Sequence, residues 1–549
     1  MARLFKYLLF PCLLIVLAAC SSETPPTEIT DPGETTTAAT AVQIPSPTDM
    51  PPDPPTRTPV PAKPVTLEAL TGNWLGAIYL DEKPLTFILN ITVEEGTALA
   101  RPRLVGFSTS INGSQAALSV VEADNTFYFD SELGREGSYR FTGQLLETSV
   151  EGTVVGEGKE GNFYLIPLVE HDDLVSFTGL YRFEDGRTLD VSLAPTGFGS
   201  PGLFLPGLWL LNAATGGYQA LSAVSEDTFY AGPSLGIALP ATDIITFQAN
   251  DTGQIDRLTI QSLSRNRAVE TAVRLKFPTE DVTFVNEGVT LAGTVTLPPE
   301  AEFEKPFPAI VLVHGSGRAT RNELERFIRL FASEGFAVLA YDKRGVGESG
   351  GSYSDTASTS RLLLLAGDAA AGVAYMRGRP DIKPDKVGLL GGSQAGWVNP
   401  AAAVQSGHVA FIVNLSGPVV TVGQEGVYST FTGDGAVITL TKSEEEIAQA
   451  VEAAAGTGFD PAPYITELEL PGLWLFGAKD ASIPVAQSVE NLQAIIDTDG
   501  KSNFSYVVFP NGNHGLWESE TGSMADWPYI RELVPGYYDI MLDWLRSQK

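Results

Sequence analysis

The sequence predicts an α/β architecture: a doubly wound, mostly parallel sheet in the C-terminal half, preceded by all-β barrel or sandwich domains. Three observations carry this. After about residue 281, short apolar runs rich in β-branched residues alternate with helical stretches, as expected of strands buried on both faces between layers of helices. Between residues 67 and 279, short alternating stretches are separated by turn residues, the pattern of antiparallel sheets. The first 66 residues show neither pattern. At 549 residues the chain is long enough for roughly two to four domains.

Composition removes several function classes. Lys and Arg total 35 against 66 Asp and Glu, a net charge of −31. Such a surface is repelled by phosphate backbones, so a nucleic-acid partner is not expected. Both cysteines, Cys12 and Cys20, lie in the first twenty residues, leaving the rest without a disulfide framework or thiolate metal site. Four histidines, His171, His314, His408 and His514, argue against a multi-histidine centre. No metal or cofactor is expected. The chemistry falls to oxygen nucleophiles, carboxylates and a few imidazoles.

The elements follow in chain order. Arg3 and Lys6 precede an apolar run, Tyr7 to Ala18, broken only by Pro11. That is short for a membrane span and fits a secretory signal. Leu17-Ala18-Ala19-Cys20 resembles a bacterial lipoprotein cleavage box. The resemblance implies removal of residues 1–19, lipid attached to the Cys20 sulfur, and export to the outer face of a bacterial cell membrane. Positions 21–66 hold 12 Pro and 11 Thr, so residues 20–66 are expected to form a semi-rigid tether with no core of their own.

Strand patterns at Trp74–Leu80, Leu85–Val93, Thr126–Phe129, Ser138–Phe141, Ser149–Val155 and Asn162–Leu165 mark a β-rich domain over 67–170. A break at His171-Asp172-Asp173 separates it from a second over 174–279. Trp74, Tyr79, Phe127, Tyr128, Tyr181 and Phe183 alternate along these strands. Core packing is the favoured reading for them, with a carbohydrate- or lipid-binding face as the alternative.

Residues 280–549 carry the strand–helix alternation. Expected strands are Val289–Leu297, Ala309–Val313, Phe336–Tyr341, Val387–Leu390, Phe411–Asn414, Leu473–Phe476 and Tyr506–Phe509, with helices at 322–334 and 360–377. In such sheets the site lies beyond the carboxyl ends of the strands, and the motifs fall there. Gly391-Gly392-Ser393-Gln394-Ala395-Gly396 follows a buried strand and opens an Ala-rich helix. A nucleophilic serine needs such a strained strand-to-helix turn, with small residues two positions to either side. Gly391 and Ala395 satisfy this, although G-x-S-x-G has Gly where Ala395 stands. Of the histidines, only His514, in Asn511-Gly512-Asn513-His514-Gly515 after the last strand, combines a mobile turn with that edge; it is the candidate base. Asp480 follows Leu473–Phe476 through Gly477-Ala478-Lys479 and is the candidate acid that orients the imidazole, helix capping being its alternative role. The backbone amides of Gln394 and Ser316, with Gly315 as fallback, are the candidate oxyanion donors. His314 is read as structural.

With these residues in place, residues 281–549 resemble the α/β-hydrolase family. Val311-Leu312-Val313-His314-Gly315-Ser316-Gly317 is similar to its oxyanion strand and loop, and Tyr341-Asp342-Lys343-Arg344-Gly345-Val346-Gly347-Glu348-Ser349 to its D-x-R-G-x-G-x-S segment. Within the family the closest likeness is to secreted bacterial serine esterases with β-rich N-terminal domains. The resemblance implies a short lid inserted over 421–470, with a helix near 443–455, and hydrolysis of a small-molecule ester by Ser393, Asp480 and His514. The alternatives are a serine peptidase of the acylaminoacyl or dipeptidyl type, marked by an acidic pair or propeller that reads the peptide, and an inactive lipoprotein binding module. Neither the pair nor the propeller is visible in the sequence. Pro400, in the second turn of the post-nucleophile helix, is expected to kink it.

Overall fold

The computed structural model describes residues 64–549, apart from short stretches at 81–82, 95–96, 106–110, 113–114, 133–136, 147–148, 170, 195–206, 264–266, 437–439 and 441. The expected signal peptide, Cys20 and nearly all of the tether lie outside the described residues. At the far end of that tether Val65 is already buried, and the Thr66 hydroxyl caps the helical turn Leu67–Leu70 by accepting from Ala69 N at 3.2 Å.

Two β bodies come first. In the first, antiparallel strands from Gly72–Tyr79 to Lys159–Pro167 form a ten-stranded sheet. Alternation along the strands turns Phe87, Phe127, Phe129, Phe141 and Phe163 into one core, where Phe129 and Phe141 stack at 4.7 Å. In the second, eight antiparallel strands from Gly179–Phe183 to Glu270–Arg274 close into a barrel, first strand paired with last. Its interior is filled by Phe177, Tyr181, Phe229 and Phe247. Of the aromatics singled out above, Trp74, Phe127, Tyr181 and Phe183 are core, whereas Tyr79 and Tyr128 are half-buried. His171 stacks on Phe229 at 5.5 Å and contacts Ser225 O through Nε2.

The C-terminal body is an eight-stranded sheet. Its strands are β1 (Thr279–Asn286), β2 (Val289–Thr296), β3 (Phe307–Val313), β4 (Ala337–Tyr341), β5 (Ile382–Gly392), β6 (Ile412–Leu415), β7 (Gly472–Gly477) and β8 (Phe504–Phe509). They lie in the order β1-β2-β4-β3-β5-β6-β7-β8. The β1–β2 and β2–β4 pairs are antiparallel and the others parallel. Strand β1 was not anticipated. It buries Val282 and Phe284 while leaving Glu280, Asp281, Thr283 and Val285 exposed, so its charged outer face masked its pattern.

Helices α1 (Glu325–Ser333), α2 (Thr359–Arg377), α3 (Ala395–Ser406), α4 (Val422–Thr432), α5 (Glu444–Ala453), α6 (Ala462–Glu467), α7 (Val485–Asp499) and α8 (Tyr537–Arg546) complete the domain. The helix expected from 322 begins with a 3₁₀ turn, Arg321–Leu324, before α1. The region 421–470 holds α4, α5 and α6, with Ser443 accepting from Glu446 N as the cap of α5. Helix α3 continues through Pro400 as far as Ser406. The segment after β4 is held by its own charges: Arg344 pairs with buried Asp368, and Asp342 accepts from Arg321 and from Glu348 N.

The barrel is fused to this sheet. Trp209 and Tyr218 of the barrel meet Trp517 at 6.2 and 6.3 Å. Arg329 of α1 reaches the barrel carboxylate Asp190 through two hydrogen bonds of 2.7 and 3.0 Å. Tyr218 N and Leu235 N donate to Arg531 O and Ile530 O. The chain following the last strand is therefore clamped between barrel and sheet.

Candidate active site

Four loops at the carboxyl edge of the sheet carry the predicted residues. The first is the turn from β5 into α3. Ser393 sits there with φ of +55°, a left-handed conformation that L residues adopt only when the surroundings enforce it. The enforcement is steric. A Cβ on Gly391 would fall 2.3 Å from Val313 O and 2.5 Å from the Ala395 methyl, and one on Gly396 would fall 2.5 Å from the backbone of Gly417. The Ala at position 395 is thus accommodated because Gly391 faces it, and the closest helix crossing is met one residue later by Gly396. Ser393 N donates to Leu415 O at 2.9 Å, tying the turn to β6.

The loop after β3 lies against this turn. A Cβ on Gly315 would lie 3.6 Å from the Ser393 Cβ. Ser316 is exposed and Gln394 buried. His314 beneath them is buried and meets Tyr341 edge-on at 4.8 Å. Burial, aided by Lys343, lowers its pKa to about 4, so the ring stays neutral.

The other two loops are knitted together through backbone. A Cβ on Gly477 would fall 2.3 Å from Gly512 O, and Lys479 N donates to Gly512 O at 2.8 Å. His514 Nδ1 and Asp480 Oδ2 are 2.7 Å apart, with the Asp480 side chain fully buried and His514 about one-third exposed, at 32%. The other Asp480 oxygen, Oδ1, accepts from Ser482 N and Ile483 N at 2.7 and 3.0 Å. Helix α7 starts later, with Pro484 at its cap, so Asp480 binds the imidazole rather than capping the helix. Its backbone oxygen accepts from the Tyr428 hydroxyl of α4 at 2.9 Å. Of the three predicted residues, His514 and Asp480 are hydrogen-bonded to each other, and the Ser393 hydroxyl is not bonded to the ring. Such contacts commonly tighten only when substrate is bound.

Two carboxylates from the region 421–470 were not anticipated. Glu425 on α4 and Asp434, in a left-handed turn after it, act on the histidine through space. Desolvation alone would lower the His514 pKa, but Asp480, by charge and hydrogen bond, and then Asp434 and Glu425 raise it above its ordinary value. The Glu425 carboxyl is pushed up to about 7, first by burial and then by Asp434, against the pull of His514. A lone acid on a surface helix or turn reads as a solvated residue in sequence, so nothing marked either one. Among the described residues no group of three His, Cys, Asp or Glu is placed to hold a metal ion, and no helix is long and apolar enough to cross a membrane.

This sheet order, with a serine turn after β5, is that of the α/β-hydrolase fold. The profile of the prolyl oligopeptidase family matches residues 323–526. Esterase EstD of Thermotoga maritima is 25% identical over 316 residues, covering 51% of this chain and 74% of that protein. Mitochondrial acyl-coenzyme A thioesterase 2 of Rattus norvegicus is 26% identical over 227 residues, 40% of this chain; the chain spans 47% of that enzyme, about half its length. The solved structure of the Pyrococcus furiosus esterase Pf2001 in space group C2221 superposes with a TM-score of 0.31 at 20% identity, covering 43% of this chain and 82% of that one.

Proposed function

We propose that this chain is an exported, lipid-anchored serine hydrolase that cleaves carboxylic esters through Ser393, His514 and Asp480. The observation that carries the proposal is the 2.7 Å contact between His514 Nδ1 and fully buried Asp480, on the same sheet edge as strained Ser393. A buried carboxylate on Nδ1 leaves Nε2 free to act as base and stabilises the imidazolium once formed. In the proposed cycle His514 takes the proton of the Ser393 hydroxyl as the oxygen attacks the acyl carbonyl. The resulting oxyanion is met by the amides of Gln394 and Ser316. Neither amide donates to a protein acceptor among the described residues, as an oxyanion hole requires. The imidazolium protonates the leaving alcohol, and water releases the acid from the acyl-enzyme by the same route. Cys20 and its preceding small residues support the anchor.

A second reading, a serine peptidase, is favoured by one observation: Glu425 and Asp434 place carboxylates at the histidine, and these suit a substrate amine. One experiment separates the readings. A fluorophosphonate should label wild type and leave Ser393→Ala unlabelled, and turnover of p-nitrophenyl esters should fall by about 10⁴–10⁶-fold in that variant. Aminoacyl amides assayed alongside the esters decide between ester and peptide. Undiminished turnover in Ser393→Ala would place the nucleophile elsewhere, and an unlabelled, inert wild type would leave a binding module.

A further inference from the structure

One buried cation beside the site takes no part in acyl transfer. Lys343 follows β4, is 4% exposed, and sits beneath the loop after β3. Its Nζ donates to Gly315 O at 2.7 Å, Gly317 O at 3.2 Å and Gln394 Oε1 at 2.9 Å. An ammonium has three protons to give, and these are three acceptors. Two of them bracket Ser316; the third is the side chain of the residue after Ser393. The backbone takes part as well, with Lys343 N donating to Ala319 O at 3.1 Å. The loop it holds is glycine-rich and exposed from Ser316 to Arg318, with Gly317 at φ +83°.

We infer that Lys343 is a positioning residue that fastens the loop after β3 to the Ser393 turn, setting the spacing between the Ser316 and Gln394 amides. The inference rests on the serine-hydrolase reading, since that spacing matters only if an oxyanion forms between them. Loss of an oxyanion donor costs about 10²–10³-fold in turnover; a donor left in place but loosened costs less.

The charge of Lys343 is part of the device. Its three acceptors are neutral. Arg361 on α2 opposes the charge and Asp355 supports it; His314 beside it stays neutral, and Asp342 is engaged by Arg321. Burial, with Arg361, brings the Lys343 pKa down to about 8. A neutral amine has only two protons to donate, so the clamp loosens as pH rises through about 8. Stability moves the other way. Because the folded pKa lies below the unfolded one, the unfolded chain binds the extra proton more tightly between the two values, and this group's contribution to stability rises with pH across that window.

The test compares the full chain with Lys343→Met and Lys343→Arg on p-nitrophenyl acetate. In Lys343→Met, kcat should fall about 10–100-fold with KM within about twofold, and affinity for a boronic acid, which mimics the tetrahedral intermediate, should fall in parallel. Wild type should lose kcat above about pH 8 while gaining thermal stability relative to Lys343→Met. Lys343→Arg, charged throughout, should recover most of the turnover and lack that alkaline limb. Should Lys343→Met fail to fold by circular dichroism, Gln394→Leu removes one acceptor and should show the same parallel loss at smaller size. If fluorophosphonate labels wild-type Ser393 and yet Lys343→Met keeps its kcat and boronate affinity, or keeps the alkaline limb, the clamp is wrong by itself. If wild-type Ser393 resists the label, the serine-hydrolase reading falls and takes the clamp with it.

Discussion

Adding one methyl group at Gly391 tests how the serine turn is built. The new Cβ would sit 2.3 Å from Val313 O and 2.5 Å from the Ala395 methyl, against ordinary carbon contacts of about 3.5–4.0 Å. Val313 ends β3 at the centre of the sheet, hydrogen-bonded beside β5, so the carbonyl cannot retreat. The turn must move by roughly 1 Å. Overpacking of this kind costs about 1–3 kcal/mol, which for a domain of this size lowers the melting temperature by about 2–4 °C per kcal/mol. A displacement near 1 Å at a reacting group costs about 10²-fold in rate. Gly391→Ala should therefore melt several degrees lower and lose about two orders of magnitude in kcat/KM on a short-chain ester. Adding Ala395→Gly removes the methyl contact but leaves the carbonyl one, so the double variant should recover only part of the loss. Wild-type turnover and melting temperature in Gly391→Ala would refute the steric account, as would full rescue in the double variant.

Other expectations follow from the charges and the barrel. Asp480→Asn should lower kcat by about 10⁴-fold, and the acid limb of the residual pH–rate profile should move down. The raised His514 pKa depends chiefly on Asp480 once desolvation is overcome, and the base acts only when neutral. Glu425→Gln should shift the same limb down by less. Because the folded Glu425 pKa of about 7 exceeds its unfolded value, its contribution to stability is full below the unfolded pKa and is lost as pH rises through about 7. Glu425→Gln should therefore gain stability over wild type above neutrality, read by thermal melts at pH 5 and 8. If the peptidase reading holds, the same variant should lose aminoacyl amide turnover faster than ester turnover. Trp209→Ala removes the barrel ring that meets Trp517 and should cost about 3–5 kcal/mol. Turnover should fall with it, because the His514 loop loses its support, and an unchanged melting temperature would show the barrel to be an independent appendage.

How much of this was legible in the sequence depended on the range of the physics involved. Strands buried on both faces must be apolar at every position, so Ala309–Val313 and Leu473–Phe476 stood out as continuous runs. The turns that expose Ser393, Asp480 and His514 are written locally, because tight backbone crossings demand Gly or Ala at nearby positions whatever the rest of the chain does. Strand β1 was missed because an edge strand needs only one apolar face, and the exposed residues between Val282 and Phe284 and around them hid it. Sheet order, barrel closure and the contact of Trp209 with Trp517 join segments tens to hundreds of residues apart, and no local pattern records them. The same holds for Glu425, Asp434 and Lys343. A carboxylate on a helix or turn of the 421–470 region and a lysine in a loop look like solvated surface until folding removes their water. Burial and the neighbours it supplies, rather than residue type, then set their charge and hence what they can do at the site.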